Sequence, residues 1–251
     1  MRHSLIKKLT VYHLAFTLLI FIFPFLAFYN LWYPNELLAL TGGEGILKIY
    51  IIMECILNTA IATVLFLSRN DSYKEIIIKY VLLCILQVSA SFFGFKTLYE
   101  AKPIYIAYEF NQFRVVRPID IQGKTNSIDF QSIANGPIII GTKKLSSSDP
   151  EFLKSIKDSL NGYYPSFKVS RQISYKDIKN EVLSNAQNVT NLTETSLDKV
   201  RLFSVNHQLD INKLAYYPLT SYYSDEWITL INKENAEVVT YLKTNGWIRN
   251  E

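Results

Sequence analysis

Residues 9–31 (LTVYHLAFTLLIFIFPFLAFYNL) carry no formal charge, and no other feature constrains this 251-residue chain as strongly. About 20 apolar residues in a helix span the hydrocarbon core of a bilayer, about 30 Å. Residues 46–67 repeat the pattern with Lys48 near one end and Glu54 inside, and residues 76–98 repeat it between Lys79 and Lys96. Covering three such runs inside a soluble domain would take far more chain than is present. We read three transmembrane helices. The first is an uncleaved signal anchor: its apolar stretch exceeds the roughly 7–15 residues of a signal peptide. It also closes on Tyr29-Asn30-Leu31-Trp32-Tyr33 and not on a small-residue cleavage site.

Charge divides the chain at the same place. Residues 1–99 hold eight basic and five acidic side chains, and residues 100–251 hold eighteen and seventeen. Basic residues in short flanks mark the cytoplasmic side. Arg2, Lys7 and Lys8 precede the first run, and Arg69, Lys74 and Lys79 surround the second loop. The first loop holds Glu36 and Glu44 with no basic residue before Lys48. The N-terminus is therefore expected in the cytoplasm of a bacterial cell and residues 100–251 in the periplasm, with Trp32 and Tyr33 at the outer interface of the inner membrane. The balanced charge of the exported part offers no field that would attract nucleic acid. Both cysteines, Cys55 and Cys84, lie in apolar runs, so the exported part has no cysteine for a disulfide and must be held by its own core.

Beyond residue 100 the period shortens. Residues 103–110 and 113–119 read as a hairpin turning at Asn111-Gln112, with Pro118 ending the second strand. Residues 136–143 read as a further strand. A helix is expected over 149–161, entered through Asp149-Pro150, with Phe152, Ile156 and Leu160 inward and Gly162 as its stop. A second is expected from Tyr175 to about Ala186, capped by Ser174, with Ile178 and Val182 inward. A short third is expected over 195–201, after a loop at 187–195. Strands at 226–232 and 236–242 close the chain. The expected architecture is a membrane α-helical region (residues 1–99) plus an α+β external domain with an antiparallel sheet (residues 100–251).

Several stretches in order resemble a known family. They are Trp32-Tyr33-Pro34 after the first run, Gly42-Gly43 before the second, and residues 98–105 (LYEAKPIY) leading into Phe113-Arg114-Val115-Val116. The ending Val239, Tyr241-Leu242 and Trp247 completes the set. Together they resemble the type IV pilin accessory proteins of the TfpX/TfpZ kind. The resemblance implies a non-enzymatic inner-membrane accessory factor without a cofactor. Its partner would be the major type IV pilin, whose stability, assembly or pilus dynamics it would assist through direct contact. A component of a pilin-modifying glycosyl-transfer system and a membrane sensor are the alternatives.

Two groups of residues stand out as candidate sites. Glu54 lies eight residues into the second run, about 12 Å along the helix, and an ionisable group at that depth faces a partner or a wet cavity. Asn58 shares its face one turn on, and Gln87 and His13 are the polar candidates on the other runs. These four form a possible intramembrane polar site, either fixing the helices to one another or receiving the apolar helix of a pilin. Tyr108, Arg114 and Arg117 form a possible contact surface on the hairpin, with a cross-strand ion pair to Glu109 as the simpler reading. For catalysis no motif is present. His3, His13 and His207 fall in three different parts of the chain, and no phosphate loop, nucleophile elbow or HExxH occurs.

Overall fold

A computed structural model describes residues 2–22, 31–33, 36–67, 70–122 and 136–247. Residues 23–30 of the first apolar run, Pro34 of the Trp-Tyr-Pro stretch and Arg69 of the second loop lie outside them. The chain forms two compact units, Met1–Leu31 with Gly43–Glu100, and Trp32–Gly42 with Ala101–Glu251.

The first unit is helical. Helix α1 (Arg2–Thr17) continues into a π-helical turn at Leu18–Ile22. Later in the chain come α3 (Gly43–Leu67) and α4 (Tyr73–Ala101), both long and apolar enough to cross a membrane. Their outward faces fit lipid: Ile52, Ile56, Phe92 and Phe93 are exposed, whereas Leu9, Ile61, Leu65 and Ile76 pack together inside. Asp71 pairs with Lys79 at 2.5 Å, and Ser72 and Glu75 cap one another in reciprocal hydrogen bonds where α4 begins.

The second unit is an α+β domain around a mixed sheet. Among the described residues the sheet has eight strands: β1 (Tyr105–Glu109), β2 (Gln112–Val116), β3 (Ile138–Thr142), β4 (Gln172–Ser174), β5 (Gln187–Asn188), β6 (Leu214–Thr220), β7 (Trp227–Asn232) and β8 (Val238–Leu242). Their order is β4-β3-β1-β2-β6-β7-β8, with β5 on β6. The expected antiparallel sheet is corrected here: β1 runs parallel to β3 and β2 parallel to β6. Both pairings join strands separated by long connections, and parallel pairs need such crossovers.

The β1–β2 turn is one residue earlier than the sequence indicates. Phe110 and Asn111 occupy it, both with positive φ (49° and 59°), which is the twist a two-residue hairpin prefers. Pro118 opens a 3-10 turn just past β2, as its fixed φ predicts. The central strand β6, LAYYPLT, is absent from the strands expected above; it contains Pro218, and proline argues against a central strand. The tertiary arrangement tolerates it. On one flank β5 pairs with residues 215 and 216 and β2 with 219 and 220, which leaves the proline between two partners.

Among the described residues, three α-helices follow the short α2 (Leu37–Leu40) in this unit: α5 (Phe152–Leu160), α6 (Tyr175–Ser184) and α7 (Glu194–Asn206). Helix α6 matches its reading. Ser174 accepts a hydrogen bond from the Lys176 N–H, and Ile178 and Val182 are buried. Helix α7 is longer than expected, and the preceding segment holds β5 and a 3-10 turn where a loop was expected. Helix α5 begins at Phe152, three residues later than Asp149-Pro150 indicates, and its phase differs. Ile156 is half-exposed and Leu160 exposed, while Phe152, Ser155 and Ser159 turn inward. Arg171 anchors this helix through Ser155 at 3.0 Å and through two bonds to the Lys143 carbonyl, 2.8 and 2.6 Å. Gly162, at φ 84°, ends it in a Schellman motif, with Tyr163 N–H on the Asp158 carbonyl at 2.9 Å.

Both sheet faces are covered, and β6 alternates between them. Ala215, Tyr217 and Leu219 join a core with Ile106, Tyr108, Phe113, Val115, Trp227 and helix α6. Leu214 and Tyr216 join the opposite core under α7. The first core also contains Leu37 and Leu40 of α2. The segment that the sequence presents as a loop between spans is therefore part of the domain's interior. Ser221 Oγ donates to the Leu40 carbonyl at 2.6 Å, Lys102 lies 5.2 Å from the Trp32 ring centroid, and the Tyr223 ring lies against Gly42, which has φ 71°. A Cβ on Gly42 would meet that ring at 2.7 Å.

Candidate functional site

Within the helical unit, α3 places Glu54 and Asn58 one turn apart, α4 brings Gln87 beside them, and α1 contributes His13 and Thr17, also one turn apart. Gln87 Nε2 donates to Glu54 Oε2 and to Thr17 Oγ1, each at 3.3 Å. Thr17 Oγ1 lies 3.0 Å from Asn58 Oδ1 and 2.9 Å from the His13 carbonyl, and its single proton serves one of them at a time. Asn58 Nδ2 donates to the Glu54 carbonyl at 2.8 Å. The His13 ring meets Tyr80 edge-on at 6.0 Å. The four residues singled out from the sequence thus lie in one polar seam across three helices. Thr17 completes it, and its position four residues after His13 was the available signal.

The seam is incompletely satisfied. Glu54 Oε1, Gln87 Oε1 and both His13 ring nitrogens are buried without a hydrogen-bond partner among the described residues. In hydrocarbon an unmade bond of this kind costs several kcal/mol. Unfilled acceptors beside an imidazole can take a proton, a water molecule or a polar side chain. Glu54 and His13 are only 7% and 4% exposed. A second helix would reach them only if the bundle opened, and the outer surface around them is apolar.

On the hairpin the structure corrects one residue and explains two. Tyr108 is 2% exposed and therefore unavailable as a surface contact. Alternation along β1 puts it on the inner face with Ile106, where its ring packs against Phe113 and Tyr217 at 5.5 and 5.3 Å between centroids. Arg114 and Arg117 are on or near the opposite face, and both are nearly buried. Arg114 Nε donates to Glu109 Oε1 at 2.5 Å, and Glu109 Oε2 accepts from Ser166 N–H at 3.0 Å. The guanidinium lies over the Tyr164 ring, 3.4 Å from its centroid. Arg117 grips Asp120 through Nε at 2.9 Å and Nη2 at 2.7 Å, and its guanidinium stands 4.7 Å from the Tyr222 ring centroid. The sequence indicated the Glu109–Arg114 pair. Tyr163-Tyr164 and Tyr222-Tyr223 stand out in the sequence as aromatic clusters, but not as the cover of these arginines, from which Tyr164, Tyr222 and Tyr223 lie 50 to 110 residues away.

Among the described residues no three or more His, Cys, Asp or Glu side chains come together to hold a metal ion.

No family model matches the chain, and no solved structure matches it. It is similar to two fimbrial assembly proteins of Dichelobacter nodosus. The serogroup I protein is 20% identical over 224 residues and the serogroup E1 protein 20% identical over 225. In both cases the match covers 86% of this chain and 86% of the relative. This distant similarity, over most of each chain, points to a part in fimbria or pilus assembly.

Proposed function

We propose that this chain is a non-enzymatic inner-membrane accessory factor that contacts a type IV pilin and assists its stability, assembly or pilus dynamics. The observation that carries this reading is the extent of the similarity: the match takes in helical region and external domain alike, in two proteins both described as acting in fimbrial assembly. The finer resemblance to type IV pilin accessory proteins supports the choice of partner.

The proposed topology agrees with how the domain is built. Trp32–Gly42 and Ala101–Glu251 fold as one unit, so both segments belong on one side of a membrane. Helices α3 and α4 separate them, and two crossings return the chain to the side it left. If residues 9–31 make the first crossing, the N-terminus lies opposite, in the cytoplasm, as its basic residues require.

The test is photocrosslinking in cells that express the cognate pilin, with the probe at Leu160 or Leu202, which are exposed. A probe at Tyr108 would report only the domain's own core. An adduct containing pilin is the expected result. Absence of any pilin adduct from these and other exposed positions, with piliation unchanged on deletion of the chain, would remove the pilin role.

A further inference from the structure

We propose that the groove beside Arg114 and Arg117 is a binding site for a neutral saccharide. The groove runs between the end of β2, the 3-10 turn at Pro118–Asp120, the segment after α5 and the turn after β6, and encloses about 530 Å3. That volume is in the range of small-molecule sites.

Its aromatic residues are not core filler. Tyr163 is 53% exposed and Tyr222 77%, so both rings present faces to the groove and to solvent. Tyr164 and Phe167 line the same groove, edge to face at 5.4 Å. Gln122 and Asn161 supply amide groups around this floor, while the Ser221 hydroxyl beside them is already bonded to the Leu40 carbonyl and to the Tyr223 and Ser224 N–H groups.

The charges decide the class of ligand. Arg114 is matched by Glu109, and Arg117 by both oxygens of Asp120, so the floor is neutral and an anion would find no uncompensated cation. A cationic ligand is disfavoured for the complementary reason. Arg114 over Tyr164 and Arg117 over Tyr222 would repel a further positive charge there, whereas Tyr163 and the uncovered side of Tyr222 stay open to an uncharged C–H face. A wholly apolar ligand would strand the two amides without partners. The remaining match is a molecule with flat C–H faces for the tyrosines and hydroxyls for the rim. The guanidinium N–H groups not engaged by Glu109 or Asp120 are further donors to those hydroxyls. A sugar ring has that surface.

The experiment is saturation-transfer NMR on the full chain in a detergent without a sugar headgroup, since maltoside detergents would compete for the site. The probes are glucose, N-acetylglucosamine, maltose and diacetylchitobiose. At least one should give saturable transfer, with a Kd of about 1 mM for a molecule this small. Tyr222→Ala and Tyr163→Ala should each weaken it about tenfold. Tyr222→Phe should retain it, and Leu153→Ala, on the exposed side of α5, should leave it unchanged. Both tyrosines are exposed, so the alanine variants should melt as the parent does. No transfer from any of the four sugars in natively melting protein would overturn the proposal. So would sugar binding that survives both alanine variants, or a saturable response to inorganic phosphate or tetramethylammonium in place of the sugars.

Discussion

Leu40 lies on the four-residue helix α2, in a segment between two apolar runs, yet it is fully buried in the core of the external domain together with Leu37. Replacing it with alanine removes three carbons from a packed site and leaves a cavity bordered by residues from several strands. The expected cost is about 3 kcal/mol, within a range of about 2–5 for such changes. For a domain of this size that is a fall of roughly 6–12 °C in melting temperature. The assay is thermal unfolding of the full chain in micelles, followed by the fluorescence of its tryptophans, of which Trp227 is buried in the same core. Leu153→Ala, on an exposed surface, is the control and should move the transition by no more than about 2 °C. If Leu40→Ala melts with that control, α2 does not belong to the domain's interior. The argument that places loop and domain on one side of the membrane would then fail with it.

Arg114→Ala should destabilise the domain by about 3–5 kcal/mol, because Glu109 would be left buried with only the Ser166 N–H, and a double change of Glu109→Gln with Arg114→Met should recover part of the loss in the same melt. A near-neutral single variant would show that the pair is solvated. Burial pushes the hydroxyls of Tyr108, Tyr175 and Tyr217 above the usual tyrosine range. The folded domain therefore holds protons that the unfolded chain releases, so this stabilisation is complete below about pH 10 and is lost as the pH rises further. A phenolate absorbance titration beside circular dichroism should show these tyrosines ionising only as the fold is lost; smooth ionisation in a folded domain would contradict it. In the helical unit, Gln87→Leu should weaken the bundle by about 0.6–2 kcal/mol in a denaturing-detergent titration, while Glu54→Gln stays closer to the parent. The reverse order would mean that the carboxylate charge, and not the hydrogen bond, holds the seam.

What could be read locally was read correctly in several places. Run length and charge marked the two long helices, because crossing a bilayer is a matter of consecutive apolar residues and needs no tertiary partner. Ser174 announced α6, and Gly162 the end of α5, since caps act within one turn. The polar seam was partly visible because a Glu or Gln in an apolar helix needs a partner wherever the helix ends up, although its partner Thr17 is marked only by its place one turn after His13. Periodicity misplaced the face of α5: Leu160 fits an apolar stripe, but Arg171, drawn to Ser155, turns the helix the other way.

The tertiary structure alone decided the rest. Local rules argue against Pro218 in a central strand, and only the gap between β5 and β2 accommodates it. The parallel pairing of β2 with β6 joins residues more than 100 positions apart, beyond the reach of any periodic pattern. Trp32–Gly42 looks like a turn between spans, and its leucines are too few to announce a core. They become one because β1, β2, β6 and α6, drawn from residues 105 to 220, leave an apolar site that Leu37 and Leu40 fill.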